Sequence, residues 1–216
     1  MQKRLDLTLY LVLDPVLCGG LTGMIETTRM AVANGVTAVQ LRSEHPLERS
    51  EWYNAALALK EVLADTTVPL LINDQVDVAL AVQADGVHVG QSDLPVKIVR
   101  QLIGSERIVG LSVSNTAQMQ AVPWSQVDYV GIGPIFPTTS KGDAAPVLGV
   151  EHLQSLVQVK QGPAVAIGGI NSSNIVQVLQ TGIEGVAVIS AICGQANIQQ
   201  ATLQLLQQIK QARMQF

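Results

Sequence analysis

The 216-residue sequence is poor in charged residues, in aromatic residues and in positive charge. Charged side chains make up 14% of the chain and aromatic side chains 3%, and the formal net charge is −4 at pH 7. Because nucleic-acid binding relies on lysine and arginine to neutralise phosphates, this composition argues against a nucleic-acid-binding protein. Any anion must therefore be bound by a local site. The few aromatic residues favour packing roles over an aromatic cage for a ligand.

Cysteine is also scarce, and the two cysteines, Cys18 and Cys193, form no Cys-x-x-Cys motif. In a chain without a signal peptide, such residues are expected to be reduced thiols in the cytoplasm. No apolar run approaches the ~20 residues that a helix needs to cross a bilayer. The sequence therefore predicts a cytoplasmic protein with neither a membrane nor a nucleic acid as its partner.

Hydrophobic residues, in contrast, make up 48% of the chain. This fraction predicts a large buried core and excludes the composition of a disordered protein. The length suits one domain, and no linker or low-complexity tract divides the chain. We therefore expect a single catalytic domain over residues 1–216.

Eight short apolar runs recur along the chain, each followed by a helical pattern. They are almost continuous in Val, Ile, Leu, Ala and Gly, as is typical of parallel strands that are buried on both faces. Such strands need crossover helices, so the alternation predicts an α/β fold, a (β/α)8 barrel in preference to an open doubly wound sheet. The predicted strands are residues 7–14, 38–42, 68–74, 86–90, 107–113, 129–136, 164–169 and 185–190.

The connections between these runs carry helix and loop signals. Asn34-Gly35 is expected to end the first helix, and residues 171–173 to cap the helix after the seventh strand. The connection over residues 137–149 is rich in Pro, Gly and Thr, which predicts a loop over a site. The last segment predicts an amphipathic helix, with apolar residues at spacings of three and four: Ile198, Ala201, Leu205, Ile209 and Ala212.

Polar residues stand where the predicted strands end. The carboxyl ends of the strands form the active site of a (β/α)8 barrel, so we expect these residues to share one polar mouth. Asp74 and Asp93, after the third and fourth strands, provide two carboxylates for one Mg²⁺, which normally keeps water and substrate phosphate as further ligands. The alternative is that both aspartates only cap turns or helices.

A second anion site is predicted after the seventh and eighth strands. Backbone N–H groups at residues 168–170, and at a short helix that begins near Ile189 and Ser190, would form it. Phosphate binding at this position is common in (β/α)8 barrels. The alternative is that the glycines only allow close packing.

Several long segments make the sequence resemble the thiamine-phosphate synthase family, which also includes thiazole tautomerases. The resemblance extends over nearly the whole chain. It is carried by QLR (40–42), LLINDQVDVALAVQADGVHVGQSD (70–93), GLSVSN (110–115), YVGIGPIFPTTSK (129–141), AIGGI (166–170) and GVAVIS (185–190).

The resemblance implies a (β/α)8-barrel enzyme that uses Mg²⁺. It would join a pyrimidine methyl diphosphate to a thiazole phosphate, or its carboxylate, and release diphosphate. Arg42, Ser112 and Lys141 are the implied catalytic residues, and Asp74 and Asp93 the implied metal ligands. The implied pyrimidine diphosphate site is Gln40, Leu41, Arg42, Ser43, Glu44, Asn73, Ser112 and Lys141. The implied thiazole phosphate site is Thr138, Thr139, Ser140, Gly169, Ile189 and Ser190.

The sequence departs from the family pattern at two positions. A lysine is expected two residues after Arg42, and Glu44 stands there instead. Ser140 replaces a threonine but keeps a hydroxyl group. At an effective dielectric constant near 20, a unit charge at ~6 Å is worth about 3 kcal/mol, so an inward Glu44 would repel a diphosphate. The alternatives are that Glu44 turns outward or pairs with Arg42.

Single residues bear on three other functions. A thiazole tautomerase would be expected to carry a histidine where this chain has Ser112, and a Schiff-base aldolase would need a lysine inside the barrel, which no predicted strand contains. Glu44 supports a third alternative, a binding protein without turnover. His88 is expected to be a buried structural histidine. The resemblance leaves the choice between a monomer and a homo-oligomer open.

Overall fold

The strands close into a parallel barrel in chain order. A computed structural model describes residues 3–138 and 146–214, in which each strand pairs with the next and β8 pairs with β1. The predicted barrel is thus confirmed over the open sheet. All eight predicted strands are present, and seven of them end one to four residues earlier than predicted. They are β1 (Leu9–Leu13), β2 (Ala38–Leu41), β3 (Leu70–Asn73), β4 (Gly86–Val89), β5 (Ile108–Val113), β6 (Tyr129–Ile132), β7 (Ala164–Ile167) and β8 (Gly185–Val188).

The described residues also form eight helices, one after each strand. No helix in these ranges is both long and apolar enough to cross a membrane. They are α1 (Gly20–Ala33), α2 (Arg49–Val62), α3 (Val76–Ala81), α4 (Val96–Ile103), α5 (Thr116–Gln120), α6 (Gly149–Val159), α7 (Ile175–Leu179) and α8 (Ile198–Arg213).

The sequence signals for helix ends were partly right. Asn34 follows the last residue of α1 and Gly35 has a φ of 106°, so this pair ends the helix as predicted. The predicted cap of α7 was wrong, because the residue before that helix is Asn174. Asn171 instead closes the preceding turn, where its side chain accepts a hydrogen bond from the N–H of Ser173 at 2.8 Å. In α8, Leu205, Ile209 and Ala212 are buried as predicted.

The two faces of the strands pack into different cores. Successive strand residues point alternately into the barrel and toward the helices. Because both faces are covered, the strand sequences are continuously apolar. The larger cluster packs against the helices and includes Leu9, Leu11, Val39 and Leu41. The cluster inside the barrel comprises Leu7, Tyr10, Val12, Ala38, Leu71, Ile108, Tyr129, Val165 and Ala187.

A repeated hydrogen bond joins the strands in pairs at the amino end of the barrel. The residue immediately before each even-numbered strand accepts a hydrogen bond from a backbone N–H at the start of the preceding strand. These acceptors, which we call the amino-end acceptors, are Thr37 (from Leu9, 3.1 Å), Asp85 (from Leu70, 2.8 Å), Asp128 (from Val109, 2.7 Å) and Glu184 (from Ala164, 3.2 Å).

The three acidic members of this set also pair with cations. Arg100 contacts Asp128 at 2.7 Å, and Lys160 contacts Glu184 at 2.5 Å. Lys3 and Lys60 lie 3.8 and 3.7 Å from the carboxylate oxygens of Asp85. The charges at this end of the barrel are therefore matched within the protein.

Candidate active site

A cavity of about 430 Å³ opens at the carboxyl ends of the strands. This volume lies within the range of small-ligand sites, roughly 300–1,000 Å³. The polar mouth predicted from the sequence therefore exists as one space. Of the predicted site residues, twelve line it: Gln40, Arg42, Ser43, Glu44, Asn73, Asp74, Asp93, Ser112, Thr138, Gly169, Ile189 and Ser190. Thr139, Ser140 and Lys141 lie outside the described residues.

Leu41 is placed differently from its neighbours. Its side chain is fully buried in the core between the barrel and the helices, and it does not line the cavity. The reason is the alternation along β2, which points Gln40 inward and Leu41 outward. The place of Leu41 in the pyrimidine diphosphate site therefore stays a prediction, and only its backbone could make the contact.

Arg42 and Glu44 form an ion pair in the lining of the cavity. Both side chains are mostly shielded, with 14% of Arg42 and 27% of Glu44 exposed. The Arg42 backbone is fixed as well, since its N–H donates to the carbonyl of Leu13 at 3.1 Å. Of the three alternatives for Glu44, the structure shows the pairing with Arg42. A ligand anion at Arg42 must share the guanidinium with this carboxylate.

The chain turns sharply after β3, which directs Asp74 into the cavity lining. Asp74 has a φ of 57°, a left-handed conformation that is uncommon outside glycine, asparagine and aspartate. Its N–H donates to the carbonyl of His88 on β4 at 2.8 Å. The side-chain amide of Asn73 donates to Asp74 Oδ2 at 2.6 Å. The carboxylate of Asp74 is thus oriented by its own neighbour.

Asp93 is held by a turn after β4. Its Oδ2 accepts a hydrogen bond from the N–H of Gly90 at 2.7 Å, which is the capping contact expected under the alternative interpretation. This bond does not exclude metal binding, because a carboxylate has two oxygens and about four acceptor positions.

The residues fit the requirements of Mg²⁺. Asp74 and Asp93 both line the cavity and offer hard oxygen ligands. Within residues 3–138 and 146–214, no group of three or more His, Cys, Asp or Glu side chains is arranged to bind a metal. Mg²⁺ is commonly held by one or two carboxylates, with water and substrate phosphate completing its shell. The donor set therefore suits Mg²⁺ better than a metal that needs a closed protein cage.

Most of the charged side chains around the cavity are acidic. Among the lining residues in the described ranges, Arg42 is the one arginine or lysine, whereas Glu44, Asp74 and Asp93 are carboxylates. One positive group thus faces three negative groups. A polyanionic ligand needs more positive charge than these side chains supply.

The opposite side of the cavity is formed largely by backbone. Gly168 and Gly169, after β7, have φ values of 101° and 65°. A Cβ atom at Gly169 would lie 2.6 Å from the carbonyl oxygen of Pro137, and one at Gly168 would lie 2.6 Å from Pro134 Cα. The loop after β6 therefore approaches this turn so closely that only glycine fits.

The segment after β8 corrects a detail of the predicted second anion site. It is a turn and not a helix: the N–H groups of Ile192 and Cys193 donate to the carbonyl of Ile189 at 3.0 and 2.8 Å. Ile189 and Ser190 still line the cavity, on the same side as Gly169.

A chain of hydrogen bonds runs beneath the cavity, inside the barrel. The Gln40 amide donates to the Tyr10 hydroxyl at 2.8 Å, which lies 2.9 Å from the Tyr129 hydroxyl. His88 joins Tyr129 to Ser112 through Nδ1 at 2.8 Å and Nε2 at 2.9 Å. We call these five residues the interior chain.

Sequence reasoning missed two members of the interior chain, Tyr10 and Tyr129, and assigned His88 only a structural role. A signal was present in Gly110 on β5, which pairs with His88 on one side and Tyr129 on the other. A Cβ at Gly110 would collide with both rings. An inward-facing glycine between two ring-bearing neighbours indicates that the rings occupy the barrel interior.

The closed barrel, with a partly ionic and partly backbone-lined cavity at its carboxyl end, has the architecture of a (β/α)8-barrel enzyme that acts on a small molecule. A family model described as "Thiamine monophosphate synthase" matches residues 9–192. The chain belongs to the thiamine monophosphate synthase family, so the family predicted from the sequence is confirmed.

Individual relatives are similar over nearly their whole length. The thiamine-phosphate synthase of Laribacter hongkongensis is 50% identical over 205 residues, covering 95% of this chain and 96% of that protein. The thiamine-phosphate synthase of Syntrophomonas wolfei is 45% identical, covering 90% and 92%. The structure of thiamine phosphate pyrophosphorylase from Pyrococcus furiosus superposes with a TM-score of 0.84 at 34% identity, covering 95% and 96%.

Proposed function

We propose that the protein is a Mg²⁺-dependent thiamine-phosphate synthase. It would condense 4-amino-2-methyl-5-(diphosphooxymethyl)pyrimidine with thiazole phosphate to give thiamine phosphate and diphosphate. If the thiazole carboxylate is the substrate, its carboxylate C–C bond also breaks and CO2 is released. The names of its relatives support this activity. The observation that carries the proposal is that one cavity contains both an ionic side, with Arg42 and two aspartates, and a glycine-rich backbone side. Two phosphorylated substrates can bind there next to each other.

The reaction consists of two bond changes. The bond between the pyrimidine methylene carbon and the diphosphate oxygen breaks, and its electron pair leaves with diphosphate. The methylene cation that remains is stabilised by the amino-substituted ring, and the lone pair of the thiazole nitrogen then forms the C–N bond. No protein nucleophile is needed, so the enzyme works by positioning both substrates and by stabilising the charge of the leaving group.

The ionic side of the cavity would bind the pyrimidine diphosphate. Arg42 is the described cation that can donate two hydrogen bonds to a phosphate. Lys141, outside the described residues, would provide a second positive charge. Gln40, Ser43, Asn73 and Ser112 would complete this site with neutral polar groups. Leu41 contributes no side-chain contact, and Glu44 acts through its ion pair with Arg42.

Asp74 and Asp93 would hold Mg²⁺. When bound, the ion neutralises charge on the diphosphate leaving group. The lining supports this role, because Asp74 and Asp93 place two carboxylates in the cavity proposed to bind the diphosphate.

The backbone side would bind the thiazole phosphate. Thr138 and, outside the described residues, Thr139 and Ser140 would donate from their hydroxyl groups. Gly169, Ile189 and Ser190 would donate from backbone N–H groups, which suit an anion because they carry no carboxylate. Such a site places the thiazole nitrogen next to the pyrimidine methylene carbon.

The decisive experiment is to incubate the purified protein with both substrates and Mg²⁺. We expect diphosphate and thiamine phosphate to form in equal amounts, and chelation of Mg²⁺ to stop both. Binding of both substrates without any product at high protein concentration would contradict the synthase and support a binding protein. Conversion of the thiazole carboxylate to an isomer without C–N bond formation would support a tautomerase.

Substitution of Asp93 separates its metal role from its capping role. Asp93→Asn keeps an oxygen that can accept from Gly90 N–H but removes the charge, whereas Asp93→Ala removes both. We expect Mg²⁺-dependent turnover to fall by at least about tenfold in both variants, because a charged group that binds a cation is worth more than ~1.4 kcal/mol. Steady-state kinetics at several Mg²⁺ concentrations measures this. Full activity of Asp93→Asn, with loss only in Asp93→Ala, would show that Asp93 is a cap.

A further inference from the structure

The interior chain connects the two sides of the barrel interior through five side chains. Tyr10 on β1 and Tyr129 on β6 are 119 residues apart in sequence, yet their hydroxyl oxygens lie 2.9 Å apart. Both phenols and Gln40 are buried, and His88 is nearly so. Ser112, at the end of the chain, is partly exposed and lines the cavity. The interior chain therefore ends where a substrate binds.

Both tyrosines keep their hydroxyl hydrogens. Burial raises the pKa of Tyr10 far above its usual range, although its hydrogen bonds with Tyr129 and Gln40 partly oppose this shift. Burial also raises the pKa of Tyr129, and the proximity of Tyr10 adds to the shift. Each phenol thus donates one hydrogen and can accept another.

The Gln40 amide sets the direction of the hydrogen bonds. Its N–H donates to the Tyr10 oxygen, so the hydrogen of Tyr10 must point to its other hydrogen-bonding partner in the described ranges, Tyr129. Tyr129 then donates to Nδ1 of His88. A neutral imidazole that accepts at Nδ1 carries its hydrogen on Nε2, and Nε2 lies 2.9 Å from Ser112 Oγ.

We propose that His88 is a positioning residue whose Nε2–H donates to Ser112 Oγ, so that the Ser112 hydroxyl presents its own hydrogen to an acceptor atom of the pyrimidine diphosphate. The direction of donation follows from the interior chain, and only the identity of the ligand rests on the proposed function. If Ser112 Oγ donated to His88 Nε2 instead, its hydrogen would be used in that bond, and Ser112 could only accept a hydrogen bond from a ligand.

Two glycines maintain the position of the imidazole. His88 pairs with Gly110, and Ser112 pairs with Gly131 on the next strand. A Cβ at Gly131 would lie 3.2 Å from Cε1 of His88, and one at Gly110 would collide with the ring. The absence of side chains at both positions leaves one slot for the imidazole, between Tyr129 and Ser112. His88 is thereby held in the orientation that the hydrogen bonds require.

The tautomer of His88 can be read directly by NMR. In protein labelled with ¹⁵N at histidine, we expect one-bond coupling to hydrogen at Nε2 of His88 and none at Nδ1. Assignment by comparison with His88→Asn identifies the resonance among the three histidines of the sequence. Hydrogen on Nδ1 alone, or on both nitrogens, would overturn the proposal. The measurement needs no substrate and is independent of turnover.

A double-mutant cycle tests whether His88 acts through Ser112. His88→Asn keeps an amide oxygen that can accept from Tyr129 but removes the donor to Ser112. We expect His88→Asn and Ser112→Ala each to weaken pyrimidine diphosphate binding about tenfold, and the double variant to bind no more than about twofold weaker than either. His88→Gln, whose amide N–H₂ reaches the position of Nε2, should recover part of the loss. Titration calorimetry with Mg²⁺ present measures all four proteins.

Ser43→Ala provides the matched control, because Ser43 also lines the cavity but donates to the carbonyl of His45 at 2.8 Å. Its effect should add to that of His88→Asn. Additive effects of His88→Asn and Ser112→Ala would overturn the positioning role. Binding and coupling without product formation would instead contradict the proposed synthase and leave the role of His88 supported.

Discussion

The two ends of the barrel use acidic residues in opposite ways. At the amino end, Asp85, Asp128 and Glu184 each accept a backbone hydrogen bond from the preceding strand and pair with a lysine or arginine. At the carboxyl end, Glu44, Asp74 and Asp93 line a cavity in which Arg42 is the one described cation among the lining side chains. The acidic residues are thus held by backbone donors and cations at one end, whereas at the other end they line a cavity.

The acidic residues at the amino end and at the carboxyl end therefore have different roles, stability in the first case and binding in the second. A carboxylate with its own backbone donor and its own cation has little capacity left for a ligand, so it stabilises the fold. Carboxylates that line a cavity keep oxygen lone pairs for a ligand, and Asp74 and Asp93 are therefore the proposed ligands of a divalent cation. In (β/α)8 barrels the carboxyl end carries catalysis and the other end stability, and the charge pattern of this chain follows that division. Substitutions of charged residues at the carboxyl end should therefore change substrate binding, and those at the amino end should change stability.

The largest effect is expected from Arg42→Ala. Hydrogen bonds to charged groups contribute about 1.5–3 kcal/mol, so the KM for the pyrimidine diphosphate should rise by roughly ten- to a hundredfold. Arg42→Lys should recover part of this loss because it keeps the charge but not the paired donors. The free energy of unfolding should fall by no more than about 1 kcal/mol, the usual value of a partly exposed ion pair, because Glu44 keeps 27% of its side chain exposed. Steady-state kinetics and urea unfolding measure the two quantities.

Arg49→Ala is the matched control for Arg42→Ala. Arg49 pairs with Asp77 on the outer surface, where 66% of its side chain is exposed. Its removal should leave both KM and stability unchanged. A KM effect as large in Arg49→Ala as in Arg42→Ala would mean that net charge, and not the site, controls binding.

The opposite pattern is expected for Asp85→Ala at the amino end. The variant leaves the N–H of Leu70 without its acceptor and removes the counter-charge of Lys3 and Lys60, and only 15% of the Asp85 side chain is exposed. Stability should fall by about 1–3 kcal/mol in urea unfolding, with kcat and KM unchanged. Asp77→Ala, at a side chain 64% exposed, should change stability by less than about 0.5 kcal/mol. A loss of activity without a loss of stability in Asp85→Ala would contradict the division of roles.

The fold and most of the cavity could be predicted from the sequence because both depend on patterns among residues that are close together in the sequence. Apolar runs identify the strands, parallel strands must alternate with helices, and residues at strand ends gather at one end of a closed barrel. The stretch from Gln40 to Glu44 is not uniform in this respect, because strand residues alternate in direction and the Leu41 side chain faces the helices. Which side chains of a motif face the cavity can be decided only when the register of the strand is known.

Contacts across the barrel could not be predicted in this way. Tyr10 reaches Tyr129 only because the barrel closes, and no periodicity within β1 or β6 encodes that distance. The pairing of Glu44 with Arg42 was one of three alternatives and depended on side-chain conformations. The roles of the cavity residues in substrate and metal binding stay predictions, for which the tests above provide the measurements.

A smaller effect is expected when the ion pair at the mouth is broken. Glu44→Gln keeps the shape of the side chain and releases Arg42 from its competing carboxylate. Since partly exposed ion pairs are worth about 0.2–1 kcal/mol, diphosphate with Mg²⁺ should bind about two- to fivefold tighter. Glu44→Lys should bind it tighter still, and both gains should shrink in high salt. Glu61→Gln, an exposed position on α2, is the control that should show no change in calorimetry.

The smallest effect concerns Lys3 at the amino end. Burial lowers the pKa of Lys3, and the carboxylate of Asp85 partly opposes this shift. Asp85→Asn should therefore lower the pKa of Lys3 further, because the opposing charge is lost. An NMR titration of the Lys3 side chain measures this change, and Asp77→Asn should leave the titration curve in place.

The sign of the associated stability change follows from proton binding. Between the folded and the unfolded pKa of Lys3, the unfolded chain binds more protons, so stability rises with pH in that interval. Asp85→Asn should extend the interval toward lower pH and steepen the rise of stability there. An unchanged pKa of Lys3 in Asp85→Asn would show that Asp85 stabilises the amino end through its bond to Leu70 N–H alone. The matching of charge would then be incidental, and the contrast between the two ends would rest on hydrogen bonds.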